Sequence, residues 1–132
     1  MRRLFGILIL GLAGLPLLWD GALAWGADLP SAEKRKIETL IAGVEQMTDA
    51  IFVRNGKQYP AESAAEFLRR KWKSRRSEVR SAADFIDKVA SFSSTTGKPY
   101  SIRWNDGRER LSAEFFRAQL ASLNKAVGDK AG

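Results

Sequence analysis

Between Arg69 and Arg80, seven cationic side chains (Arg69, Arg70, Lys71, Lys73, Arg75, Arg76 and Arg80) stand against Glu78 alone. Like charges packed this densely repel one another unless they are solvated or bound to a counter-charge. The chemistry open to them is electrostatic adhesion to an anionic surface, each cation contributing about 1 kcal/mol near anionic lipid. A solvated helix end accounts for the same residues, since cations are favoured at a helix C-terminus. Trp72, inside the block, has the spacing of a core residue behind Ala64 and Leu68.

A second set of polar residues lies at Ser91-Phe92-Ser93-Ser94-Thr95-Thr96-Gly97-Lys98. Small residues and a lysine can cradle an anion through backbone N–H groups. The run lacks the first glycine of a nucleotide phosphate loop and has no Ser or Thr after its lysine, which excludes that motif. What remains is a modest anion or carbonyl pocket from Ser94, Lys98 and Tyr100, completed by Arg54 or Arg103, or else a plain helix-to-strand connection. The chain has no histidine and no cysteine. Imidazole bases, thiolate nucleophiles, disulfides and Cys/His zinc clusters are therefore excluded. The carboxylates Glu62, Glu66, Asp84, Asp87, Asp106, Glu109 and Glu114 fall at helix starts, turns or exposed faces, without the aromatics that line sugar subsites. No cofactor, metal or small-molecule ligand is indicated, and a non-enzymatic binding module is favoured over the alternative, a small hydrolase or ligand-binding enzyme subunit using the Ser91 to Tyr100 loop.

The elements that must carry these residues follow from periodicity. Ile37, Leu40, Ile41, Val44 and Met47 predict a first helix over about 32–47, with Ser31 as its cap. Ile51-Phe52-Val53-Arg54, the turn dipeptide Asn55-Gly56 and Lys57 to Tyr59 read as a hairpin. Pro60 suits the start of a second helix, with Ala64, Leu68 and Trp72 on one face and Phe67 beside them. Ser81 caps a third helix with Asp84 three residues on, and Phe85, Ile86, Val89 and Ala90 form its inner stripe. Tyr100, Ile102 and Trp104 alternate along a strand that turns at Asn105-Asp106-Gly107. Arg108 to Leu111 is the return strand, and Ser112 caps the last helix, whose expected stripe is Phe116, Leu120, Leu123 and Val127. The fold class is α+β: two β-hairpins forming a small antiparallel sheet packed with about four helices, in the order α-ββ-α-α-ββ-α. A lone hairpin is marginal in water, so the two are expected to pair.

Ahead of this domain, Met1 to Ala24 reads as a cleavable secretory signal. Arg2 and Arg3 precede an uncharged run from Leu4 to Trp19, and Ala22-Leu23-Ala24 supplies the small-x-small cleavage pattern. Asp20 interrupts the run short of the ~20 apolar residues of a membrane span. Residues 25–31 are a linker, 32–127 a single domain and 128–132 a flexible tail. Without the signal the chain carries a net charge of +6, all of it in the block from Arg69 to Arg80. The expected address is the periplasm. The expected partners are an anionic envelope component or a periplasmic protein, with peripheral membrane contact; nucleic acid is disfavoured for an exported chain.

Phe52-Val53-Arg54-Asn55-Gly56 with Tyr59, Ala65 to Trp72, Asp84-Phe85-Ile86 with Ala90-Ser91, Ser93-Ser94, and Gly97-Lys98-Pro99-Tyr100 stand in an order and spacing that resembles the YfeK-like family. These are small secreted bacterial proteins classed as a domain of unknown function. The resemblance implies a bacterial, periplasmic, single-domain protein with no assigned reaction.

Overall fold

A computed structural model describes residues 29–131; the expected signal, Met1 to Ala24, lies outside the described residues. Helix α1 (Ser31–Glu45) buries Ile37, Leu40, Ile41 and Val44, the stripe its sequence spacing predicts. It begins one residue early. Pro30 takes the cap position because its carbonyl already accepts the Lys34 N–H at 3.0 Å, so Ser31 is helical and caps nothing. Strands β1 (Ala50–Arg54) and β2 (Lys57–Pro60) are joined by Asn55 and Gly56, at φ 53° and 80°. Two successive positive φ values are what a tight hairpin turn matching strand twist requires, and Asn-Gly tolerates them. Helix α2 (Ala61–Ser74) follows directly, with Pro60 as its extended cap.

Helix α3 runs from Ala82–Phe85 into a widened π turn, Ile86–Ala90. Ser81 caps it, its hydroxyl accepting the Asp84 N–H at 3.0 Å, and Glu33 of α1 accepts the Ala82 N–H at 2.9 Å. The Ala82 N–H bond holds the Glu33 carboxyl below the usual carboxylate range, with Lys36 adding to the effect. At the far end the Ser91 hydroxyl donates to the Ile86 carbonyl five residues back, closing the wide turn from outside the helix. Strands β3 (Ser101–Trp104) and β4 (Glu109–Leu111) form the second hairpin, and helix α4 (Ser112–Ala131) closes the chain.

The hairpins pair through their first strands, giving one antiparallel sheet in the order β2-β1-β3-β4. The fold is therefore α+β with the expected element order. Phe52 lies across from Ile102 and Ala50 across from Trp104, and this face is buried under the helices. The opposite face, with Ile51, Val53, Ser101 and Arg103, is only half-buried. Between sheet and helices, Phe85 meets Trp72 at 5.9 Å and Phe116 at 6.4 Å, both edge-on. Phe85 and Phe116 are fully buried, each worth about 1.5–3 kcal/mol in transfer alone. Trp72 thus serves the core, as its spacing predicts. Val127 does not: it is 56% exposed, because Leu120 and Leu123 are the last residues of α4 to pack against the core.

Candidate functional site

The polar centre of the molecule is built on a helical register. Lys71 follows Leu68 by three residues and Ala64 by seven, so it shares the buried face of α2, and the residue is 9% exposed. The wide last turn of α3 delivers the chain to Phe92, whose carbonyl accepts from the Lys71 Nζ at 2.8 Å. Tyr100, at the foot of β3, accepts through its hydroxyl at 3.0 Å, and its ring lies 4.9 Å from the same ammonium. Burial lowers the Lys71 pKa from its ordinary value to about 8, and the positive charges of Arg75 and Arg54 push in the same direction. Burial also raises that of Tyr100, against the pull of the two arginines. Among the described residues Lys71 forms no salt bridge, and neither does Arg54.

Arg54 ends β1 and reaches the same place by strand alternation. Phe52 faces the core, so Arg54, two residues on, faces that way too. Its guanidinium lies over the Phe67 ring at 4.3 Å and the Tyr59 ring at 5.2 Å, and donates to the Tyr59 hydroxyl at 3.1 Å. Arg75, at the end of α2, donates to Ser94 at 2.7 Å and pairs with Glu78 at 3.2 Å. Together these groups line an open cleft of about 770 Å³ between α2, the first hairpin and the 91–100 loop. It holds Arg54, Arg70, Lys71 and Arg75 against one carboxylate, Glu78, with Ser74, Ser93, Ser94, Thr95 and Tyr100 supplying hydroxyls. A second hollow of about 250 Å³, mostly apolar, shares Arg54, Phe67, Arg70 and Tyr100 with the cleft and reaches inward to Phe52, Leu68 and Phe116.

The 91–100 loop is a small closed structure. Phe92 bridges Pro99, and Ser93 N–H donates to the Lys98 carbonyl. Gly97, at φ 76°, turns the chain as expected. The Ser93 hydroxyl, 3% exposed, accepts from Thr95 N–H, Thr96 N–H and the Asn55 side chain. The N–H groups that would cradle a phosphate are therefore already satisfied within the loop. Among the described residues no three carboxylates converge as a metal site requires.

Comparison with known proteins places the chain. The family described as "Family of unknown function (DUF5329)" matches residues 31–124. The chain is a member of this family. The DUF5329 region spans all four strands, the first three helices and most of α4. The chain is also 43% identical over 77 residues to "Uncharacterized protein YfeK" of Salmonella typhimurium, a match covering 58% of this chain and 63% of that protein. It thus spans less than two thirds of that relative's length. No solved structure matches it.

Within this DUF5329 domain the residues singled out by sequence divide. Arg54, Ser94 and Tyr100 come together at the cleft, whereas Lys98 and Arg103 are not among its lining. Arg103 sits on the opposite sheet face, paired with Glu109 at 3.2 Å. Of the basic block, Arg70, Lys71 and Arg75 enter the cleft; Arg69 pairs with Glu45, and Lys73, Arg76 and Arg80 are exposed outside it. Lys71, which its charge groups with the exposed run, is instead buried, and no motif announces Phe67 and Tyr59 as the partners of Arg54. The signal for Lys71 was its place on the stripe of Ala64, Leu68 and Trp72. Asp84, Asp87, Asp106 and Glu109 are engaged structurally, as a cap or as partners of nearby arginines.

Proposed function

We propose that this member of the family is a non-enzymatic binding module that captures an anionic group in the cleft around Lys71. The observation that carries the reading is the unneutralised pair of Arg54 and Lys71, brought together from different elements. A buried ammonium is costly without a counter-charge. The helix C-terminus favours a cation at Lys71 and Lys73, both in the last turn of α2, but it does not account for the burial of Lys71 or for Arg54, which comes from a hairpin. A phosphate or carboxylate between them would remove the imbalance through charge-assisted hydrogen bonds. The signal-like N-terminus points to the periplasm as the place of action, and so to an anionic envelope component or an acidic partner protein as the source of that group.

A hydrolase built on the 91–100 loop finds less support. The Ser91, Ser93 and Ser94 hydroxyls bond to Ile86, to loop N–H groups and to Arg75 respectively, and none of them bonds to Lys71 or to Glu78, which line the same cleft. The two readings part on turnover, which the binding module lacks.

The test is titration with sulfate at low and high salt, followed by NMR of backbone amides. Shifts are expected at Phe92, Tyr100 and Arg54, with affinity reduced at least tenfold in Lys71→Met and in Arg54→Ala. Lys73→Ala, Arg76→Ala and Arg80→Ala are expected to change it by less than about threefold, in keeping with screened surface charges. Equal binding by wild type and the two cleft variants would remove the cleft from the account. Co-sedimentation with anionic vesicles, lost in the Lys73, Arg76 and Arg80 variants but kept in the cleft variants, would return the function to the outer patch.

A further inference from the structure

The apolar hollow beside the cleft carries the reading further. Protein interiors leave few voids larger than a water molecule. Here a space of about 250 Å³ opens between the sheet and α2, walled by Phe52, Ala64, Phe67, Leu68 and Phe116, with Glu66 its one carboxylate. It is not sealed from the cations: Arg54, Phe67, Arg70 and Tyr100 border both it and the cleft. Arg54 is the hinge of the two environments, its guanidinium carbon 4.3 Å from the centre of the Phe67 ring and 5.2 Å from that of Tyr59. A guanidinium has five N–H donors, and the structure gives one of them, on Nη2, a partner in the Tyr59 hydroxyl.

We infer that the ligand is a small amphiphilic anion, its oxyanion head on Arg54 and Lys71 and its alkyl or aryl tail in the apolar hollow. The inference rests on the binding role proposed above. A bare inorganic anion would leave the hollow unused, and a neutral hydrophobe would leave both cations without a counter-charge. Sites of this kind, an apolar cavity with a few convergent polar groups at its mouth, are the common form of small-molecule pockets. An apolar cavity of about 150 Å³ takes up benzene, so one of this size accommodates a tail of up to about ten carbons.

The experiment is calorimetric titration of the protein, as processed by the cell, with acetate, butanoate, hexanoate, octanoate and dodecanoate below their aggregation concentrations. Octanamide serves as the uncharged tail and octyl phosphate as the alternative head. Affinity is expected to rise roughly fourfold per added methylene and to level off beyond about ten carbons. Octanamide should bind at least tenfold more weakly than octanoate. Whether octanoate or octyl phosphate binds tighter identifies the preferred head, and a chain-length dependence across the carboxylates supports the inference. Ala64→Phe fills the hollow and should collapse the octanoate-to-acetate ratio towards one. Ser63→Phe, at its half-buried rim, does the same without entering the core, so a folding defect in the first variant does not leave the question open. Acetate binding with no dependence on chain length would overturn the amphiphile and leave the anion site standing. Octanamide binding as well as octanoate would overturn the head placement. Failure of every anion to bind would overturn both readings, and a dimer that excludes octanoate would assign the hollow to a second copy of the chain.

Discussion

The two hairpin-helix units, β1-β2-α2 and β3-β4-α4, differ in how they treat charge. In the first, Arg54 stands across the ladder from Lys57, and among the described residues neither has a carboxylate partner. In the second, Arg103 stands across from Glu109 and pairs with it, Arg108 pairs with Asp106, and Arg117 of the following helix pairs with Asp87. The face differs as well. Arg54 follows the buried Phe52 by two residues and shares its side of the sheet, whereas Arg103 follows the buried Ile102 by one and lies on the other. Among the described residues the second unit pairs Arg103, Arg108 and Arg117 and leaves Arg110 exposed without a carboxylate partner, whereas the first pairs Arg69 and Arg75 but leaves Arg54, Arg70 and Lys71 without one beside two hollows. Unmatched charge, more than charge density, marks the site.

The units share one core, and the largest effect comes from breaking it. Phe116 belongs to the second unit, yet it lines the hollow of the first. Phe116→Ala is expected to cost about 3–5 kcal/mol, as for other buried aromatics. Urea unfolding should remain a single transition with unchanged slope. Two transitions would mean that the units are independent, and the contrast between them would lose its structural basis.

Next in size is the pH response of Lys71, which the second unit has no counterpart to. Its pKa is lowered to about 8 in the folded chain from an ordinary 10.5. Between those values the unfolded chain binds more protons than the folded one, so stability rises with pH in that window and the penalty is fully present below pH 8. The rise should be about 3 kcal/mol at most and absent in Lys71→Met. Sulfate affinity moves the other way, falling up to about tenfold from pH 7 to pH 9 as the amine loses its proton. A stability curve identical in wild type and Lys71→Met would show that Lys71 is solvated and no part of a site.

Much of this contrast was visible in the sequence. The helical stripes, both glycine-containing turns and the Ser81 cap are local signals, and each element formed in the expected order, with α1 shifted by one or two residues at its ends and α3 ending in a π turn. The parity that separates Arg54 from Arg103 was also present, since Phe52 and Ile102 are the apolar anchors of their strands. So was the stripe position of Lys71, hidden by the cations around it. The cleft was not visible. It depends on the wide turn closed by Ser91 on Ile86 and on the packing of α2 against a loop twenty residues on, contacts that no window of local sequence contains. Val127 failed for a related reason: its spacing is right, but the core ends before it.

The smallest effect isolates the contrast itself. Lys57→Glu would give Arg54 the cross-strand carboxylate that Arg103 already has. An opposite-charge pair at that register should stabilise the chain by about 0.5 kcal/mol in place of the like-charge pair. Because it lowers the charge beside the cleft by two, it should also weaken sulfate binding several-fold, an effect that fades in high salt. Glu109→Lys is the mirror change. It sets Arg103 against a like charge and should destabilise by about the same 0.5 kcal/mol, with sulfate affinity unmoved because that face of the sheet looks away from the cleft. Measured side by side, the two variants decouple stability from binding: one gains stability and loses affinity, the other loses stability and keeps affinity. If both variants moved affinity equally, the site would be reading the net charge of the protein, and the distinction between the two hairpins would fall.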